Sequence, residues 1–189
     1  MAKLCWESIE QQVAQCRRCR LCEQRRNIVL GEGSRHADIM LVGEGPGADE
    51  DAQGRPFVGK AGQLLDKMFS AIDIKREELY ITNVVKCRPP GNRTPQDDEA
   101  QACLPLLRMQ YALIQPKIVV CLGGTATRHV YDREAKITRV RGQWRDKSGT
   151  LFIPTYHPAA LLRDESKKKE AWADLQSIAK KYAEIRQTR

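Results

Sequence analysis

No stretch of this 189-residue chain is long and apolar enough to cross a membrane. Its first residues, MAKLCWESIE, lack the apolar run of a secretory leader. Together these absences argue against a membrane role and set a cytoplasmic location as the expectation. Also missing are an internal repeat and any linker that would split the chain, so one domain over 1–189 is expected. With 41% apolar and 30% charged residues, the composition is that of a globular protein and excludes a disordered chain. Seven cysteines is an odd count for a chain without a leader. A disulfide framework is therefore not expected, and metal ligation becomes the alternative.

What is present begins with charge. The net charge of +8 favours an anionic partner such as nucleic acid but says nothing about specificity. Basic residues gather in CRRCRLCEQRR, TRVRGQWRDK and RDESKKK, each of which could equally be a solvated face.

Strand and helix patterns alternate along the chain. Compact apolar runs at 38–43, 79–85, 117–123 and 151–156 predict four strands, the last weakened by Pro154. Helical spacing appears over 61–72, 95–114, 125–132 and 166–186. Such alternation predicts an α/β fold with a mostly parallel sheet covered on both faces. Sheets of that kind place ligand sites at the carboxyl ends of their strands. Here those ends carry GEGPG, then Thr82, Asn83 and Lys86, then Gly123 and Gly124, then YHPAALLR. One such segment could be a turn; several on one edge suggest a built site.

The cysteines divide. Cys121 lies inside an apolar strand and reads as core, and Cys5 sits near the terminus. Cys16 and Cys19 form C-x-x-C, which Cys22 extends to C-x-x-C-x-x-C. Cys87 follows the second strand, and Cys103 lies in the next helix. No close second pair supports a simple zinc ribbon. Four thiolates suit zinc or a [4Fe–4S] cluster, and spacing does not choose between them. Either would tie the N-terminal segment to the loop after the second strand.

Taken together, CRRCRLC, GEGPGADED, GRPFVGKAGQLL, TNVVKCRPPGNRTP and HPAALLR, in this order over most of the chain, resemble the family 4 uracil-DNA glycosylases, the iron–sulfur type of bacteria and archaea. The resemblance implies a three-layer α/β/α fold around a four-stranded, mostly parallel sheet. It implies a structural [4Fe–4S] cluster held by Cys16, Cys19, Cys87 and Cys103, with Cys22 at a position the motif does not need. The implied partner is uracil-containing DNA, single- or double-stranded, bound by a monomer.

A base inside a duplex must be extruded before an enzyme pocket can read its edge and face. Phe57, in GRPF, is the candidate stacking platform, against the alternative of plain core packing. Asn83 is the candidate edge reader, because an amide carries the donor and acceptor that match uracil O4 and N3–H and reject cytosine. Glu44, Gly45 and Pro46 are candidates for contacting the base, with Glu44 also orienting water. In some relatives an acid or amide that handles the water follows this glutamate; here that place is Gly45. Asp49, Glu50 and Asp51 are expected in a solvated loop.

His157 precedes Pro158, which suits the first position of a helix. The positive end of that helix favours a neutral ring, able to donate to uracil O2 as charge builds there. Leu161 and Leu162 are candidate wedges for the gap left by a flipped base, with inward packing as the alternative. Arg163, Lys86, Arg88 and Arg93 are candidate phosphate contacts. His36 and His129 are expected to be satisfied locally. No lysine is placed by motif for Schiff-base chemistry, so hydrolysis without strand cleavage is expected. The rival readings are a cross-linking relative, a zinc protein, and a non-catalytic iron–sulfur nucleic-acid-binding or redox module. The first is disfavoured by the absence of histidine between Asn83 and Cys103.

Overall fold

The computed structural model describes residues 4–187. Its centre is one mixed sheet of β1 (Glu32–Gly33), β2 (Ile39–Gly43), β3 (Leu79–Asn83), β4 (Ile118–Leu122), β5 (Arg145–Lys147) and β6 (Thr150–Thr155), in the order β1-β3-β2-β4-β6-β5. The inner four run parallel and correspond to the four apolar runs. Two short antiparallel edge strands were not expected, so the sheet has six strands rather than four. Neither has a readable apolar period. β1 is two residues long, and β5 is polar and folds back on β6 through Ser148 and Gly149. Both turn residues have positive φ, 53° and 85°, which a two-residue type I′ hairpin requires.

Every residue of β2, β3 and β4 is buried, as parallel strands covered on both faces should be. The pleat sends alternate side chains to opposite faces. Met40, Val42, Tyr80 and Val119 pack with α1 (Trp6–Ala14) and α4 (Asp97–Ile114). Ile39, Leu41, Ile81 and Val120 face α3 (Lys60–Ser70), α7 (Pro158–Arg163) and α8 (Lys168–Gln187). The result is the expected α/β/α stack. Pro154 is tolerated because β5 pairs with β6 only as far as Phe152. Past that point the Pro154 carbonyl accepts from the Gly142 amide at 2.8 Å.

Three short helices, α2 (Ala48–Gln53), α5 (Gly123–Ala126) and α6 (Ile137–Val140), lie in the connections. α5 continues into a π-turn over Thr127–Tyr131, where one short helix was expected. α1 is anchored in the core by Ile9 and Val13, with Trp6 partly buried beside Tyr80. Among the described residues no helix is long and apolar enough to cross a membrane.

Candidate functional site

A cavity of about 520 Å³ opens at the carboxyl edge of the sheet. Glu44, Gly45, Pro46, Phe57, Asn83 and His157 all line it. The topological rule thus brings together residues spread over more than a hundred positions.

β2 and β3 pair in parallel with Gly43 directly beside Asn83. A side chain at Gly43 would stand 2.4 Å from Asn83 Oδ1 and 2.6 Å from Phe57 Cζ. Glycine here lets the amide and the ring meet. Asn83 is 1% exposed. Its Oδ1 is the buried side-chain oxygen or nitrogen left without a hydrogen-bond partner among the described residues. An orphaned buried acceptor is destabilising by about 1–3 kcal/mol, and at a cavity wall it is open to a donor that enters the cavity.

Phe57 is 5% exposed and belongs to the core on the α3, α7 and α8 face, yet one side of it faces the cavity. Its φ of 51° is left-handed, strained for a bulky residue. The surroundings hold it there. Arg76 donates to the carbonyls of Pro56 at 2.7 Å and Phe57 at 3.2 Å, and pairs with Asp66 at 2.8 Å. A Cβ on Gly62 would meet the Phe57 carbonyl oxygen at 1.8 Å, so α3 can approach only through a glycine. On the other side the Glu50 carboxylate accepts from the amides of Val58 and Gly59, both at 2.9 Å, and from Gly47 at 3.1 Å. One acid therefore fastens the GEGPG turn to the phenylalanine loop.

That finding corrects the expectation of a solvated acidic loop. The segment forms α2, and Asp51 is 2% exposed, accepting from the backbone amides of Arg26 at 2.9 Å and Asn27 at 3.3 Å. Short acidic runs resemble solvated turns in sequence because the amides they bind come from elsewhere in the chain.

His157 caps α7 as expected: its Nδ1 accepts from the Ala159 amide at 3.1 Å. The ring proton is therefore on Nε2. Burial, then the nearby Arg163 charge, lowers the His157 pKa to about 4, so the ring is neutral at physiological pH. Its ring lies 5.5 Å from that of Phe57, tilted by 31°. Gly123, with φ of 87°, makes room: a Cβ there would come within 2.9 Å of His157 Cβ. The Glu44 carboxylate accepts a short hydrogen bond from the Thr125 hydroxyl on α5. Thr125 had no signal in the sequence beyond its place after a glycine pair.

The candidate DNA contacts separate. Leu161 is 2% exposed and part of the core on the α3, α7 and α8 face, which corrects its reading as a wedge in favour of inward packing; Leu162, its neighbour on α7, is 48% exposed. Arg163 is exposed and lines the cavity. Arg93 also lines it but is clamped by Glu99 through two bonds of 2.8 and 2.7 Å. Arg88 donates to Asn92 at 2.7 Å. Lys86 is not a phosphate contact at all: it is 1% exposed, with Nζ 2.5 Å from Thr82 Oγ1 and 2.7 Å from the Asn83 carbonyl. His36 is exposed, and His129 lies 3.6 Å from Asp97; neither lines the cavity.

A second, smaller cavity lies under α1 and α4. Cys16, Cys19, Cys22, Cys87 and Cys103 line it with Lys86 and Arg25. Arg25 donates to Cys87 Sγ at 3.3 Å. Burial raises the Cys19 and Cys103 thiols and pushes Cys87 up to about 11. Cys121 is fully buried in β4, as expected of a core residue. Among the described residues no three metal-ligating side chains converge tightly enough for one ion. The thiols instead surround a shared space.

With this geometry in hand, the comparisons are specific. Residues 30–176 match the model of the uracil DNA glycosylase superfamily, which includes both the sheet and the cavity. The type-4 uracil-DNA glycosylase of Thermotoga maritima is 47% identical over 85% of this chain and 84% of its own length. That of Sulfurisphaera tokodaii is 45% identical over 91% and 82%, and that of Archaeoglobus fulgidus 41% over 91% and 90%. The chain belongs to this superfamily and, within it, to the type-4 uracil-DNA glycosylases.

Proposed function

We propose that this chain is a monofunctional uracil-DNA glycosylase, which flips uracil from DNA and hydrolyses its N-glycosidic bond for base excision repair. The observation that carries the reading is the unpartnered Asn83 Oδ1 in the cavity wall. An acceptor with nothing to accept fits the N3–H of uracil, and the same amide's N–H then meets O4. Cytosine offers no donor at N3 and would leave Oδ1 orphaned, the kind of mismatch a buried site rejects strongly.

The remaining residues supply the chemistry. Phe57 stacks on the base, with Gly45 and Pro46 closing around it. As the bond breaks towards an oxocarbenium-like sugar, charge grows on uracil O2, and the neutral His157 donates from Nε2. Glu44, held by Thr125, orients the water that adds at C1′. Lys86 has its Nζ committed to Thr82 and Asn83, and Lys60 stands exposed on the cavity rim; neither is assigned a covalent role. Leu162 fills the vacated stack, and Arg163 meets the backbone phosphate.

Cys16, Cys19, Cys87 and Cys103 are assigned to a [4Fe–4S] cluster. All four line one cavity, and no three of them converge tightly enough for one ion, which favours a polynuclear group over one zinc ion. When bound, the cluster supplies structure, tying the segment around α1 to the loop after β3.

Purified protein should release uracil from labelled single- and double-stranded oligonucleotides, leaving an intact strand with an alkali-labile abasic site. Absence of release from both substrates would overturn the reading; strand cleavage without alkali would overturn its monofunctional part.

A further inference from the structure

The face that α8 turns to the sheet carries one residue foreign to an apolar stripe. Its buried positions are Ala171, Asp174, Leu175 and Ile178, spaced as one side of a helix. Asp174 is 2% exposed. Its carboxylate accepts from Thr155 Oγ1 at 2.7 Å, from Arg141 Nε at 3.0 Å and again from Arg141 Nη2. The same Nη2 donates to the Glu170 carbonyl at 2.7 Å. Gly142, with φ of 72°, lets the chain after α6 lie against the acid: a Cβ there would stand 2.5 Å from Asp174 Oδ1. A buried ion pair returns little more than its desolvation costs, and apolar residues of similar volume often serve stability as well. Stability alone therefore does not account for an acid in this stripe.

What the carboxylate holds is the approach to His157. Thr155 is the last residue of β6 and pairs with Leu122 at the end of β4. Tyr156 comes next, lines the edge cavity, and donates from its hydroxyl to the Glu170 carboxylate at 2.8 Å. His157 follows. The hydrogen bond to its own ring comes from Ala159, within α7. That bond orients the ring on its helix but does not tie the helix to the sheet. α8 supplies such a tie, gripping both residues that precede His157, one through Asp174 and the other through Glu170. Neither Thr155 nor Asp174 lines the cavity, so neither touches the base.

We propose that Asp174 is a positioning residue for the glycosylase reaction, its carboxylate fixing the end of β6 through Thr155 so that His157 Nε2 stands where uracil O2 will lie. This rests on the glycosylase reading above. Loss of the tie shifts the histidine by a fraction of an ångström, enough to matter in the transition state and too little to alter how the protein sits on DNA.

The test is a double-mutant cycle in the full chain. Thr155→Val removes the hydroxyl and leaves the Arg141–Asp174 pair in place; Thr155→Ser restores the donor. Each is made in wild type and in His157→Ala. Single-turnover uracil release is measured together with affinity for a duplex bearing 2′-fluoro-2′-deoxyuridine, which resists cleavage. Thr155→Val should slow release by about tenfold, less than the roughly 10²-fold cost of a 1 Å misplacement, with affinity within about twofold of wild type. Thr155→Ser should release uracil within about twofold of wild type. In His157→Ala, Thr155→Val should change the rate by less than about twofold, because the two act through one group. Asp174→Asn should be at least as slow as Thr155→Val; should it fail to fold, the threonine variants decide. A full further tenfold loss in the His157→Ala background would overturn the proposal and leave a merely structural clamp. So would an unchanged rate in Thr155→Val, a serine variant as slow as the valine one, or equal losses of rate and affinity. Wild type that released no uracil would instead overturn the reading beneath it.

Discussion

The two cavities of this molecule are built on opposite principles. The one at the carboxyl edge is held entirely by its own chain. Glu50, Arg76, Gly43, Gly62 and Gly123 fix Phe57, Asn83 and His157 through backbone bonds and close approaches. The one beneath α1 and α4 gathers thiols from segments some seventy residues apart in sequence, with Arg25 as a side-chain donor to Cys87. The first is preorganised for a transient visitor. The second has the ligand types that the proposed cluster would use. Only three residues of chain, 84–86, lie between Asn83 in one wall and Cys87 in the other.

If the edge cavity is self-supporting, damage to it should lower activity without lowering iron content. His157→Ala should reduce the single-turnover rate by about 10²–10³-fold, the usual effect of removing one preorganised donor. The pH profile sharpens the point. His157 is neutral above about 4, so its contribution should persist on acidification from neutrality and fall away as pH drops through about 4. Below that value Nδ1 gains a proton and can no longer accept from Ala159, so the helix cap weakens as well. The unfolded chain takes up this proton near the ordinary histidine value of 6.5, so this residue's contribution to stability falls between about 6.5 and 4. Rate loss setting in near pH 6.5 would identify a different titrating group.

Gly43→Ala should come next. The added methyl group would displace both Asn83 Oδ1 and the Phe57 ring, and misplacement on that scale lowers rates by about 10²-fold. Circular dichroism and iron content should match wild type. A loss of iron here would mean that the cavities are not independent at this point.

The smallest effects on chemistry should come from the cysteines. Cys103→Ala should abolish iron binding and open the segment around α1 to limited proteolysis, while released uracil per folded molecule falls only a few-fold. Cys22→Ser should leave iron content and proteolysis unchanged, because Cys22 lines the same cavity but stands at a position the motif does not need. Iron loss in Cys22→Ser would exchange it for one of the four.

The same contrast governs what could be read from the sequence. Four apolar runs and the strand-end rule placed the inner sheet and the edge cavity, because parallel strands and their carboxyl ends follow from local pattern. His157 before Pro158 announced its cap for the same reason. Lys86 and Leu161 were misread, since sequence position says nothing about which way a side chain turns once its backbone is placed. Asp51 and Glu50 looked like solvent-facing acids because their partners, the amides of Arg26, Asn27, Val58 and Gly59, are visible only in three dimensions. The left-handed Phe57 and the orphaned Asn83 oxygen, the two features that best mark the site, are properties of a folded backbone and leave no trace in residue type.

The most direct measurement is on Asn83→Ala, with single-turnover uracil release and equilibrium affinity for a uracil-containing duplex taken on the same preparation. Release should fall by about 10²-fold or more while affinity for the duplex changes by no more than about threefold. Equal losses in both would contradict the assignment of Asn83 to the base edge and make it a residue that positions DNA.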